Sequence, residues 1–167
     1  MAYLLKKNLD NKSDRPIIYT DVANDMVIKC LIDTGADTPV WTSGETLFLK
    51  AFPNAELVDD ILFELGGFGK ESELVPVYKI PKFALKSDYD NNVIVFNNLL
   101  VACYVKNSIS TPLILSATMF KHTNYSIINV GEDIPMFTIN YNKCEYEIGM
   151  RFKNKNKLDK IYSFIQT

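Results

Sequence analysis

The stretch Cys30-Leu31-Ile32-Asp33-Thr34-Gly35-Ala36-Asp37-Thr38 decides how the rest of the chain is read. An apolar run stops abruptly at a carboxylate, and a hydroxyl, a glycine, a small residue and a second acid follow. Cys30, Leu31 and Ile32 have the character of the end of a buried strand. Gly35 is expected to let the backbone turn sharply where a side chain would clash. Thr34 offers a hydroxyl that can tie the loop down by hydrogen bonding. Asp33 is then presented at the mouth of a rigid turn, a suitable mounting for a catalytic acid. The competing reading is an ordinary strand-to-loop turn with a solvated Asp. Two aliphatics, Asp, Ser or Thr, Gly and a small residue in that order arise by chance in about one chain in a thousand of this length. That rarity favours chemistry over a plain turn.

Working outward, strand signals dominate. The β-rich runs 17–22 and 26–32 bracket Asn24-Asp25, a good turn pair, so they predict a hairpin whose second strand delivers Asp33. Thr42-Ser43-Gly44-Glu45 has the form of a helix cap, leading into a short amphipathic segment, 46–52, stopped by Pro53. Runs 61–65 and 74–80 flank Gly66-Gly67-Phe68-Gly69, and Pro76 inside the second marks an edge or a bulge. Further strands are expected at 83–85, 93–96, 99–105 and 113–115, a short helix at 117–122, and closing hairpins from 125–130, 136–141 and 145–152. No internal repeat supplies a second Asp-Thr-Gly.

The nonapeptide resembles the active-site loop of the retropepsin-like aspartic proteases, in which apolar residues lead into Asp-Thr-Gly-Ala and then Asp. The glycine-rich Gly66-Gly67-Phe68-Gly69 turn falls where such proteins carry the flap that closes over bound peptide, and its glycines let backbone amides approach a ligand. Leu113-Ile114-Leu115-Ser116-Ala117-Thr118-Met119-Phe120 is similar to the second loop, whose strand packs behind the catalytic Asp. The resemblance implies an all-β, closed-barrel fold with one or two short helices and an active site at a homodimer two-fold axis. It implies catalytic Asp33, Thr34 and Gly35, and substrate-binding Ala36, Asp37, Gly66, Gly67, Phe68 and Gly69. It implies no metal and no cofactor. Two carboxylates a few ångströms apart cannot both ionise, so the pair shares one proton. One acts as base on the attacking water while the other donates to the peptide carbonyl. A chain with one motif builds that pair only from two copies, each giving Asp33.

Two departures stand out. Ser116 occupies the position usually held by Gly, which matters if the backbone there needs a positive φ. An Arg that retroviral members carry just after that Gly, pairing with the acid after Asp-Thr-Gly-Ala, is also absent, so Asp37 lacks its expected partner.

Composition sets the remaining bounds. The chain's 167 residues suit one domain, expected over 1–152, with a basic tail over 153–167. A formal net charge of −2 argues against bulk attraction to nucleic acid or anionic membrane, and no apolar run approaches a membrane span. Cys30, Cys103 and Cys144 are odd in number and far apart, and read as buried thiols of a reducing, cytoplasmic compartment. Richness in Lys, Asn and Ile, with Arg15 and Arg151 the only arginines, hints at AT-rich coding and a bacterial source. His122 is the only histidine and has no recognisable nucleophile partner, and Trp41 reads as core. The expected function is an aspartic endopeptidase acting on extended peptides. The rivals are a non-catalytic peptide-binding or dimerisation module on the same fold, and a structural or nucleic-acid-associated protein using the basic tail.

Overall fold

The computed structural model describes residues 2–67, 70–104, 111–120, 123–142, 146–151 and 160–166. The elements in chain order are β1 (Ala2–Asn8), β2 (Ile17–Asp21), β3 (Val27–Asp33), β4 (Val40–Trp41), α1 (Glu45–Ala51), β5 (Glu56–Gly67), β6 (Lys70–Lys86), β7 (Val93–Cys103) and β8 (Leu113–Ser116). A single 3-10 turn, Ala117–Phe120, precedes β9 (Asn124–Ile128), β10 (Met136–Asn142), β11 (Tyr146–Arg151) and β12 (Lys160–Gln166). The described residues make an all-β fold with one short α-helix.

The predicted hairpin forms as β2 and β3, antiparallel from Ile17 opposite Leu31 to Asp21 opposite Val27. Its turn takes two successive left-handed residues, Asn24 (φ 60°) and Asp25 (φ 55°), the conformation that matches the twist of a tight hairpin. Most of the strands join one curved sheet in the order β11-β12-β7-β4-β8-β3-β2, with β6 on the other edge of β7 and β5 beyond it. Among the described residues β2, at one end of this order, and β6 are not paired with each other. The closed barrel expected from the sequence is therefore not closed by backbone hydrogen bonds among the described residues; a single Thr20 hydroxyl donates across the seam to the Ala84 carbonyl, at 3.4 Å. A second sheet, β1-β10-β9, packs its inner face, with Leu5, Phe137 and Ile139 at 0 % exposure, into the same core.

The core is aromatic. Trp41 meets Phe48 edge-on at 5.4 Å, Phe48 meets Tyr78 at 5.0 Å, and Phe120 joins Phe96 and Phe137. Of the stretch Thr42-Ser43-Gly44-Glu45 expected as a helix cap, Gly44 takes the N-cap position of α1, and no side chain caps the helix. The Thr42 hydroxyl donates instead to the Thr111 carbonyl, with the Pro112 carbonyl 3.3 Å away, and the Trp41 indole N–H donates to the Gly44 carbonyl. These bonds fix the chain entering the helix, but an indole N–H is only a donor and leaves the first helical amides without a side-chain acceptor.

Several elements differ from the sequence expectation. β1 was not foreseen, because its inward Lys7 hides the alternation; the lysine is buried and paired with Asp88 at 3.0 Å. β6 is one 17-residue strand where two were expected. Pro76 pairs with Leu62 of β5 beside a register shift and just before pairing to β7 begins at Val77, a kind of place in a sheet where proline is tolerated. The stretch expected as a basic tail contains β12, which pairs with β11 and with Val95, Phe96 and Asn97 of β7.

Candidate active site

Asp33 is the last residue of β3, and β8 lies parallel beside it, with Asp33 directly opposite Ser116. The other edge of β8 is taken by β4, which runs antiparallel to it. The chain from β3 to β4 must therefore arch over the end of β8. Loop 34–39 makes that arch, and Asp33 stands at its foot. The fold-determining stretch and the second loop are thus brought together by two strand pairings, one on each side of a four-residue strand.

Local hydrogen bonds shape the loop. The Gly35 amide donates to Asp33 Oδ1 at 2.9 Å, and the Ala36 amide to the Asp33 carbonyl at 3.3 Å. The carboxylate is half-buried, and Thr34, Gly35 and Asp37 are exposed. Gly35 does not play the part the sequence suggests: its φ is not in the left-handed region, and a Cβ there would meet Asp33 Oδ1 at 3.4 Å, an ordinary contact. A side chain would crowd the carboxylate without blocking the turn. Nor does Thr34 tie the loop down, since its hydroxyl faces solvent and has no hydrogen-bond partner among the described residues.

The tie comes from a residue that sequence reasoning passed over. Thr118 Oγ1 donates to the Asp37 carbonyl at 3.1 Å and lies 2.6 Å from Ser116 Oγ. Ser116, at 0 % exposure, does not have a positive φ, so the strain that Ser in place of Gly would cause does not arise. Asp37 belongs to neither of the two ion pairs found among the described residues. A hydroxyl bond to its backbone stands in the place where an ion pair to its carboxylate was missed. The signal was present as Ser-x-Thr straight after an apolar run, a spacing that favours local hydroxyl bonding.

The hairpin β5–β6 reaches the same region. Leu65 and Val75 share one apolar cluster with Val40, Ala102 and Ile114, and Ala36 of the loop packs against it. Gly66 falls at a register shift between Leu65 and Gly67, a position where glycine accommodates a bulge. Gly66 and Gly67 end β5, and Phe68 and Gly69 lie outside the described residues, as do His122 and Cys144. A groove of about 860 Å³ occupies a different place, between β2, the end of α1 and β6, and no residue of 33–37 lines it. Shape alone would therefore misdirect a search for the site. No group of three or more His, Cys, Asp or Glu suited to a metal ion occurs among the described residues, and no helix among them is long and apolar enough to cross a membrane.

No protein-family model matches the sequence, and no curated protein matches it either. Among solved structures, the chain is similar to a retropepsin-like aspartic protease from Rickettsia conorii, with a TM-score of 0.52 and 12% identity. The match covers 84% of this chain and 92% of that one. So extensive a likeness at such low identity is one of architecture. The chain has a retropepsin-like fold.

Proposed function

We propose that the protein is a homodimeric aspartic endopeptidase, in which Asp33 of each subunit contributes one carboxylate to a shared pair. The observation that carries this reading is the position of Asp33: at the end of a buried strand, half-exposed, held by the Gly35 amide, and opposite the end of β8. One such loop gives one carboxylate, and the sequence contains only one. Thr34 supports the same assembly, because a hydroxyl beside the carboxylate that is exposed and has no partner among the described residues can meet its counterpart across a two-fold axis. The Rickettsia structure is that of a retropepsin-like aspartic protease, which favours hydrolysis as the chemistry on this frame.

The mechanism follows from one shared proton. The ionised carboxylate takes a proton from water as the water attacks the scissile carbonyl, and the protonated partner donates to the carbonyl oxygen. The tetrahedral centre then collapses as the amide nitrogen is protonated and the C–N bond breaks. Ala36, Asp37 and the hairpin carrying Gly66 and Gly67 would receive an extended peptide by backbone hydrogen bonds, as an added strand. Loop 34–39 and the hairpin are the two walls available for that strand.

The peptide-binding module without catalysis is the runner-up. Its main support was Ser116, and the unstrained backbone there removes that objection to catalysis. Cleavage of a mixed peptide library by the wild-type chain and its loss in Asp33→Asn, with light scattering to give the assembly, tests the proposal. A strict monomer well above micromolar concentration would exclude both the pair and the mechanism.

A further inference from the structure

Resting on that reading of the site, we propose that Ser116 and Thr118 form a positioning pair that fixes the substrate-binding segment of loop 34–39 and so sets peptide affinity. The order of the hydrogens is determined by the geometry. A threonine hydroxyl has one proton, and that of Thr118 is committed to the Asp37 carbonyl at 3.1 Å. The 2.6 Å contact between the two hydroxyls must then be made by the Ser116 proton, with Thr118 Oγ1 accepting. The chain of donation runs Ser116 to Thr118 to Asp37, outward from the sheet to the loop.

Its inner end is the better anchored. Ser116 is wholly buried, and its backbone sits in the ladder opposite Asp33. Thr118 is half-buried in the 3-10 turn that follows β8. Asp37 at the outer end is exposed, four residues beyond the carboxylate. The pair therefore joins a rigid point beside the catalytic Asp to the part of the loop that faces peptide. It touches neither the carboxylate of Asp33 nor the Gly35 amide bonded to it. Its effect belongs to how well the loop is set for substrate, and not to proton transfer.

Thr118→Val removes the hydroxyl at nearly constant volume, and Thr118→Ser keeps it. In the valine variant KM for a peptide substrate should rise about three- to tenfold, the effect of one lost hydrogen bond, while kcat stays within about twofold. Thr118→Ser should restore the wild-type KM. Ser116→Ala should weaken binding in the same direction, and the double variant should be no worse than Thr118→Val alone, because both substitutions break one chain. An independent readout is hydrogen exchange at the Ala36 amide, which donates to the Asp33 carbonyl. It should quicken in Thr118→Val and not in Thr118→Ser. Unchanged exchange in the valine variant, an unchanged KM, or a fall in kcat with KM constant would each overturn the assignment. If the wild-type chain cleaves no peptide, the proposed function fails, and the exchange measurement still decides whether the pair positions the loop.

Discussion

The loop at Asp33 and the aromatic body around Trp41 are separated by only a few residues of chain, yet they are built on opposite terms. In the body, Trp41, Phe48, Phe96, Phe120 and Phe137 are wholly buried; Trp41 meets Phe48 at 5.4 Å, and Phe120 meets Phe96 at 5.9 Å and Phe137 at 5.3 Å. In the loop, Thr34, Gly35 and Asp37 are exposed, and a few hydrogen bonds to amides and hydroxyls hold the backbone. Apolar burial is non-directional and scales with area, so the body is stable without depending on any one contact. Hydrogen bonds are directional and individually weak in net terms, so the loop takes its shape from the strands at its feet. The difference implies that activity and stability can be changed separately.

The largest expected effect tests that separation on the catalytic side. Asp33→Asn should lower peptide cleavage by roughly 10²–10⁴-fold, the usual contribution of a positioned acid or base, with no loss of folded protein. Asn is nearly isosteric, and its amide oxygen can still accept from the Gly35 N–H. Next comes the body: Phe48→Ala should destabilise the fold by about 3–5 kcal/mol, measured by chemical denaturation. Residual folded protein should keep the Asp33 loop intact. If Asp33→Asn unfolds the chain, or Phe48→Ala leaves stability unchanged, the two regions are not divided as described.

The same contrast explains what was legible in the sequence. The β2–β3 hairpin could be read because Asn24-Asp25 supplies the left-handed turn and the flanking runs are β-branched. The place of Asp33 at the end of β3 could be read because its motif is local and ordered. β1 could not, since Lys7 points inward and is neutralised by Asp88, a partner far away in sequence. The two-residue strand β4 has no periodicity to detect; it exists because β7 and β8 offer edges on both sides of it. Thr118 was missed for a similar reason. Its bond to Asp37 spans a long stretch of chain, and nothing near Thr118 announces the carbonyl it serves. The role expected of Gly35 was misjudged because a glycine in a turn suggests a special φ, and here it leaves room beside a carboxylate.

A smaller effect is expected at the mouth of the loop. Thr34→Ala should leave the subunit's own stability unchanged, because the hydroxyl has no partner within the described residues. If the hydroxyls meet across a two-fold axis in the proposed dimer, the loss is about 1–3 kcal/mol per buried group, read as a higher dimer dissociation constant in sedimentation. An unchanged constant would mean that the loops do not meet through Thr34, and the contrast between an open loop and a closed body would hold for the assembly as well.

The smallest effect lies in the body and appears only in alkali. Burial pushes the thiol of Cys30 up to about 12 from its usual 9.0, and that of Cys103, where burial acts first and Glu45 adds to it, also to about 12. The phenol of Tyr78 is raised as well, by burial and then by its hydrogen bond to Glu45. A raised value means that the folded state holds its proton where the unfolded chain releases it. The associated stability is complete below pH 9 and is lost as the pH climbs from 9 towards 12. At pH 10 the loss should be about 1 kcal/mol for each buried thiol, seen as a falling denaturant midpoint between pH 8 and pH 10. Over the same interval the native protein should leave Cys30 and Cys103 unreacted with an alkylating reagent, as judged by peptide mass. A midpoint flat to pH 10, together with labelling of both thiols at pH 9, would show that the body is open to solvent, and the distinction between the two regions would then fail on the side where it is strongest.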